Sequence, residues 1–302
     1  MKLGMVGLGK MGGNMTVRLV QGGHAVVGFA RTKAVVDAVV QKGASGAGSL
    51  EDLVRQLPAP RVVWLMIPSG EPVDQALAQL RPLLSPGDLI VDGGNSYYRD
   101  TLRRSALVTS WGFRFVDVGT SGGVWGLQEG YSMMVGGTDA DVERIRPILE
   151  TLAPGPQKGW GHMGPVGSGH FVKMVHNGIE YGLMQAYAEG FAVLQAKTDF
   201  ALDLHQVAEV WRYGSVVRSW LLELTEAALA ENPTLKGIEP WVADSGEGRW
   251  TVTEAMDLNI PAPIITLALQ QRLRSRESDP FTERLLAMMR NKFGGHEVKT
   301  ES

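Results

Sequence analysis

The chain contains no cysteine. That excludes disulfides, thiolate metal sites and cysteine nucleophiles, and it fits a reducing compartment such as the cytoplasm. No charge of one sign dominates: 29 Lys and Arg stand against 32 Asp and Glu, so no basic field draws the chain onto nucleic acid or an anionic membrane. No apolar run approaches the roughly 18 residues that span a bilayer, and the run from Val62 stops at Pro68. Gly4, Gly7, Gly9, Gly12 and Gly13 interrupt the apolar stretch after Lys2, so the N-terminus reads as folded structure and not as a signal peptide. Glycine is what the chain has in plenty, with 38 among 302 residues, close to twice ordinary usage. Its 44% apolar content can fill the cores of about two domains.

Short apolar runs alternate with amphipathic stretches through about residue 160, the pattern of βαβ units around a parallel sheet. Strands are expected at Lys2 to Val6, Ala25 to Phe29, Arg61 to Ile67, Leu89 to Val91, Phe113 to Val118 and Tyr131 to Val135. Helices are expected between them, several opened by Ser, Thr or Asp caps. The Pro- and Gly-rich stretch from Ala153 to Gly169 reads as a break, and after it only helical spacing remains. The fold class is therefore α/β: a Rossmann-like doubly wound sheet over residues 1–163, followed by an all-α domain over 164–302.

Gly7-Leu8-Gly9-Lys10-Met11-Gly12 follows the first strand and opens the first helix. The first glycine suits a tight turn, the second lets backbone approach a pyrophosphate, and the third permits close helix–strand packing. Unpaired N–H donors at the helix start then face the phosphates. After the second strand the sequence runs Phe29-Ala30-Arg31-Thr32-Lys33, with no acidic residue before Asp37. An acid there would accept from a ribose 2′-hydroxyl, whereas Arg31 and Thr32 can donate to a 2′-phosphate, which favours NADP and leaves NAD open. The plainer reading makes Arg31 and Lys33 a solvated helix start. Met66 and Asn95 are assigned as further cofactor contacts.

From Lys173 to Tyr181 the residues Lys173, His176, Asn177, Glu180 and Tyr181 recur at helical spacing, with Val172, Val175, Ile179 and Leu183 opposite. Periodicity alone fits an amphipathic helix with a solvated polar face. The residue types argue otherwise, since an amine, an imidazole, an amide, a carboxylic acid and a phenol gathered after a domain junction suit a ligand site. His162, His170 and His176 show no metal-ligand spacing, so no metal is assigned.

Taken together, these motifs resemble the decarboxylating 6-phosphogluconate dehydrogenases of the β-hydroxyacid dehydrogenase superfamily. Met5 to Met15 is similar to the superfamily's opening signature. Asp92-Gly93-Gly94-Asn95-Ser96, Ser121-Gly122-Gly123, Lys173 through Tyr181, and Arg290 through His296 resemble motifs of the 6-phosphogluconate branch. The length resembles the short-chain form, whose members often use NAD, so the NADP preference rests on Arg31. Departures from the long form include Val124-Trp125-Gly126 in place of acidic residues and Pro68 in place of a lysine. The segment from Asp244 to Thr251 lacks a phosphate-binding lysine, and its Arg249 is not assigned that role.

The resemblance implies oxidation of 6-phosphogluconate at C3, loss of CO₂ and tautomerisation to ribulose 5-phosphate. Lys173 is implied as base and then acid, and Glu180 as the acid that protonates C1. Desolvation favours neutral Lys173, and the substrate's anionic groups oppose that. His176 and Asn177 would hold substrate hydroxyls, Ser121, Gly122 and Gly123 the carboxylate, and Asn95 is a further substrate contact. Tyr181, Arg218 and, from a partner subunit, Arg290 and His296 would hold phosphate, in a homodimer or homotetramer. Arg218 also fits a structural ion pair. Alternatives are a dehydrogenase of a small unphosphorylated acid such as 3-hydroxyisobutyrate, and a non-catalytic NADP-binding regulator.

Overall fold

A computed structural model describes residues 1–300, with Glu301 and Ser302 outside the described residues. Its first part runs β1 (Lys2–Val6), α1 (Lys10–Gln21), β2 (Ala25–Phe29), α2 (Lys33–Val40), β3 (Ser45–Gly46), α3 (Leu50–Arg55), β4 (Val62–Leu65) and α4 (Glu71–Leu80). It continues through β5 (Leu89–Asp92), α5 (Tyr98–Ser110), β6 (Arg114–Ser121), α6 (Gly126–Glu129), β7 (Ser132–Gly136), α7 (Asp139–Leu152) and β8 (Trp160–Gly164). The strands form one sheet in the order β3-β2-β1-β4-β5-β6-β7-β8.

Val62-Val63-Trp64-Leu65 of β4 is buried throughout, as expected of a parallel strand covered on both faces. Leu3, Met5, Trp64, Leu89 and Val91 fill one side of the sheet, whereas Val63, Leu65 and Ile90 fill the other. Side chains of these sizes each stabilise by roughly 1.5–3 kcal/mol when fully buried. Local signals set several helix starts: Ser49 accepts from Asp52 N at 3.0 Å to cap α3, and Thr138 from Asp141 N at 3.2 Å to cap α7.

The sheet departs from the expected pattern at three places, the first being the two-residue strand β3, which is not among the expected strands. β6 and β7 pair antiparallel, because the chain between them is too short for a crossover and holds only a single 3₁₀ turn and α6. β8 lies within the Pro- and Gly-rich stretch that reads as a break. Trp160-Gly161-His162-Met163-Gly164 has no β-branched residue, yet it extends the edge by pairing parallel with β7.

The remaining helices are α8 (Ser168–Ala196), α9 (Leu204–Arg212), α10 (Trp220–Glu231), α11 (Glu247–Asp257), α12 (Pro263–Arg274) and α13 (Phe281–Gly294). Compact packing divides the chain after Asn177, further along than the break expected at residue 163. The physical reason is that the first turns of α8 belong to the sheet. A Cβ on Gly169 would stand 2.4 Å from Met134 O and 2.9 Å from Asp117 O, so helix and strands touch backbone to backbone. In the second unit Tyr181 packs with Val252, Ala268 and Leu269, and Phe191 packs separately with Ala208, Leu222 and Leu229. Among the described residues no helix is long and apolar enough to cross a membrane.

Candidate active site

The order β2-β1-β4 reverses the direction of winding at β1, and the glycine loop leaves the C-terminal end of that strand, where open α/β sheets bind ligands. Each glycine of the loop has its own reason to lack a side chain. Gly7 has φ +94°, and a Cβ there would lie 2.3 Å from Met66 O. Gly12 lies against Gly7 O, 2.0 Å from where its Cβ would be. Gly9 faces open space, with nothing within 4 Å of its Cβ position. Gly9 is also the N-cap of α1, without a side-chain cap and with no acidic residue in the first turn. An open backbone approach at an uncapped helix start fits a dinucleotide pyrophosphate. Lys10 and Met11 form that first turn, while Leu8 turns into the core and could contribute only through its backbone.

Around the loop, Met66 is half-buried beside Gly7, Gly12 and Gly93. Arg31 and Thr32 are exposed just beyond β2, and Thr32 caps α2 without using its hydroxyl. Lys33 is diverted, because its Nζ pairs with Asp37 at 2.7 Å within α2. Of the three residues, Arg31 and Thr32 therefore keep their donors available.

Asn95 is exposed after β5 in a segment whose frame is buried. Asp92 accepts from Gly94 N at 3.2 Å and from Ser96 Oγ at 2.7 Å. Arg104 of α5, completely buried, donates to Asp74, Gly70 O and Ser96 Oγ. Sequence reasoning did not find this network, since its members are far apart in the chain.

Ser121, Gly122 and Gly123 leave the end of β6, with φ +126° at Gly122 and +51° at Gly123. Asn14 Nδ2 of α1 donates to Val124 O at 3.2 Å. Arg18, one turn on, donates to carbonyls of Leu127, Gln128, Thr151 and Ala153 at 2.7–3.4 Å. These are carbonyls at or near the ends of α6 and α7, where a cation is favoured. The helix that starts at the glycine loop is thereby fastened to the loop that follows Ser121.

On α8 the polar arc turns inward. Lys173, Asn177 and Tyr181 are only 6%, 9% and 4% exposed, whereas Ile179 on the opposite side is 52% exposed. A solvated polar face would show the reverse. Lys173 Nζ donates to Asn177 Oδ1 and lies 3.5 Å from His176 Nδ1, which itself lies 3.0 Å from Asn177 Oδ1. The three form one hydrogen-bonded group. Glu180 is half-buried further along the same helix.

In the second unit Tyr181 OH donates to Asp244 at 3.4 Å. Asp244 also receives Gly246 N at 3.0 Å and Arg249 Nε at 2.5 Å. Burial pushes its carboxyl up, but Arg249, Gly246 N–H and Arg276 outweigh that and hold it below the ordinary carboxylate value. Arg272, which the sequence reading passed over, lies 3.4 Å from the centroid of the Tyr181 ring. Arg218 is exposed between α9 and α10, among helices packed around Phe191 and not around Tyr181. Arg290 and His296 are exposed near the end of α13. Among the described residues no group of three His, Cys, Asp or Glu side chains is arranged to hold a metal ion.

Comparison with known proteins agrees with this layout. The model of the NAD-binding domain of 6-phosphogluconate dehydrogenase matches residues 2–164, and that of the 6-phosphogluconate dehydrogenase C-terminal domain matches residues 169–300. A Haloferax volcanii 6-phosphogluconate dehydrogenase, NAD(+)-dependent and decarboxylating, is 44% identical over 299 residues, covering 99% of this chain and 98% of that one. Plasmodium falciparum 6-phosphogluconate dehydrogenase, solved apo, with NADP+ and with 6-phosphogluconate, superposes with a TM-score of 0.84 at 29% identity, over 100% of this chain and 66% of that longer one. A Mycobacterium tuberculosis 3-hydroxyisobutyrate dehydrogenase superposes with a TM-score of 0.72 at 25% identity, covering 88% of this chain and 90% of that one.

Proposed function

This chain belongs to the 6-phosphogluconate dehydrogenase family, and from that premise we propose that its α8 group converts 6-phosphogluconate to ribulose 5-phosphate and CO₂ with a nicotinamide dinucleotide. The observation that carries this reading is the inward polar arc of α8. An amine, an amide and an imidazole are bonded together where a plain helix would present them to water.

The Gly7–Gly12 backbone and the first turn of α1 would hold the dinucleotide, which when bound would supply a hydride acceptor. Lys173 Nζ takes the proton of the C3 hydroxyl as the carbonyl forms there. The same amine, now protonated, donates to the C3 oxygen as the C1–C2 bond breaks, releasing CO₂ and leaving an enediol. Glu180 then gives its proton to the enediol carbon that was C2 of the acid and becomes C1 of the product, the hydroxyl proton on the neighbouring carbon leaves to solvent as the ketone forms, and ribulose 5-phosphate results. Asn177, by accepting from Lys173, fixes the direction in which Nζ points, and His176 supplies a second polar contact. Asn95 and the Ser121–Gly123 turn offer donors for substrate hydroxyls and carboxylate. Tyr181, together with the stacked Arg272, forms the phosphate-binding pair within the chain; the two donations Arg272 makes, to Ala243 O and Met184 Sδ, leave guanidinium N–H groups over. Arg218, Arg290 and His296 are the further cationic and imidazole donors proposed for the phosphate.

A second copy of the chain is proposed as partner. Phe281, Leu285, Leu286, Met288 and Met289 of α13 are exposed, more apolar surface than a lone helix normally shows to water. Sedimentation at micromolar concentration should give a dimer or tetramer, and a monomer would remove the partner-supplied role of Arg290 and His296. The cytoplasm is the proposed compartment, supported by the absence of cysteine.

The decisive assay follows reduced-nicotinamide absorbance and CO₂ release together, with 6-phosphogluconate and with 3-hydroxyisobutyrate. Equal amounts of reduced cofactor and CO₂ from the phosphorylated acid are expected. A higher kcat/KM for the unphosphorylated acid would transfer the chain's activity to the smaller substrate. The same assay tests the cofactor: Arg31→Glu should shift the NADP-to-NAD ratio of kcat/KM toward NAD by about tenfold or more, because a carboxylate repels a 2′-phosphate. An unchanged ratio would remove Arg31 from cofactor selection.

A further inference from the structure

Alternate residues of β6 point to one face of the sheet, and on this strand that face meets α8. Asp117 comes first. Its side chain is fully buried, and its two oxygens accept from Gly167 N at 2.6 Å and His170 N at 2.8 Å. These N–H groups lie at the start of a 29-residue helix, where backbone donors lack partners inside the helix and the dipole favours an anion. The carboxylate of one strand thus caps the helix of the catalytic group from about fifty residues away in sequence.

Gly119 comes next on the same face. A Cβ there would fall 2.3 Å from Lys173 Cβ, 3.0 Å from Lys173 Cγ and 2.7 Å from Gly169 O. The aliphatic stem of Lys173 lies where a side chain at 119 would be. Across the ladder, Gly136 of β7 is opposite Asp117, and its missing Cβ leaves room for Asp117 Oδ1, which would be only 2.4 Å away. The third residue of the face is Ser121, where the strand reaches the Ser121–Gly123 turn. The alternation of a single strand therefore caps α8, seats Lys173 and delivers Ser121.

We propose that Asp117 and Gly119 are positioning residues that fix the rotation and depth of α8, and through it the place of Lys173 Nζ. The proposal rests on the reading of Lys173 as the proton-transfer group. Displacing a reacting group by about 1 Å can cost 100-fold in rate without loss of binding, so the expected signature is in kcat and not in affinity.

Two variants test it in the full chain. Gly119→Ala should push the Lys173 stem outward. Asp117→Asn keeps the volume but sets an amide donor against one of the two N–H groups. Each should lower kcat by about 100-fold, leave the dinucleotide Kd within about twofold, and raise the primary isotope effect with substrate deuterated at C3, since hydride transfer then limits turnover more fully. Gly4→Ala is the control for stability, because the nearest atoms its Cβ would meet belong to the flexible Leu53 and Leu57 side chains. Its kcat should stay at the wild-type value even where Tm falls. Should Gly119→Ala fail to fold, Asp117→Asn carries the test. Turnover within about threefold of wild type and an unchanged isotope effect in the folded variants would overturn the positioning role. A Lys173→Met variant that stays active would instead overturn the reading of Lys173, whatever these variants do.

Discussion

Lys173→Met is expected to lower kcat by at least about 1,000-fold, toward the upper end of what a positioned acid–base group contributes, with dinucleotide affinity near wild type. Methionine preserves most of the length and apolar stem of lysine but can neither take nor give a proton. In the proposed sequence Lys173 acts twice, removing a proton during oxidation and returning one during decarboxylation. No partial reaction should survive, and neither reduced cofactor nor CO₂ should accumulate. The substitution also removes the Lys173 hydrogen bond to Asn177 Oδ1, leaving His176 Nδ1 as the neighbour at 3.0 Å, a loss of about 1 kcal/mol. Cofactor affinity must therefore be measured alongside turnover, to separate lost chemistry from lost fold. Retention of more than a few per cent of wild-type kcat would refute the role.

Arg104→Met is expected to be the most damaging change outside the catalytic group, lowering stability by about 3 kcal/mol, or on the order of 10 °C in Tm. The guanidinium is fully buried and pairs with Asp74 at 3.0 Å while also reaching Gly70 O and Ser96 Oγ. Removing it strands their acceptors. The figure is at the low end for a buried pair because Asp74 is about one-third exposed and water screens part of the loss. The acid dependence gives a second check. The hydrogen bond from Arg104, opposed by burial and helped by Arg103, holds the Asp74 carboxyl down to about 2 from 3.8. A carboxyl depressed on folding stabilises the chain fully above its unfolded value, and that contribution is lost as pH falls through its folded one. The stability gap between wild type and Arg104→Met should therefore be widest near neutral pH and narrow between about pH 4 and pH 2. A gap that is constant with pH would show that Arg104 acts through packing alone.

Local signals in the sequence carried the reading of β1 and β2, whose expected ends coincide with those in the structure. They also carried the turn at Gly7 and the close packing at Gly12, since these are properties of adjacent backbone. The arc from Lys173 to Tyr181 was legible as an arc, but not its orientation. Helical spacing places five polar residues on one side without saying whether that side meets water or the protein, and only the burial of Lys173, Asn177 and Tyr181 decides it.

What remained hidden depends on partners distant in the chain. Asp117 reads as a charged residue spoiling an apolar strand until Gly167 and His170 supply its N–H donors. Arg104 and Arg18 read as ordinary surface positions on amphipathic helices, although one is encased and the other holds carbonyls from two helices. Gly169 falls at the end of the stretch that reads as a break, when its lack of a side chain is what lets α8 begin against the sheet. Arg272 could have been suspected from its place, with Arg274, in the last turn of a helix that carries no other charge, but its stacking on Tyr181 could not.

Positions 119, 136 and 169 leave no volume for even a methyl group, and this limits how the chain can be diversified. No path of successive single enlargements leads away from that seam, because the first step is harmful before any compensating change can follow. Adaptation toward other acids is channelled instead to positions away from that seam, such as the exposed Asn95. A mutant library that randomises Asn95 should yield a larger share of folded chains than one that randomises any of the three glycines.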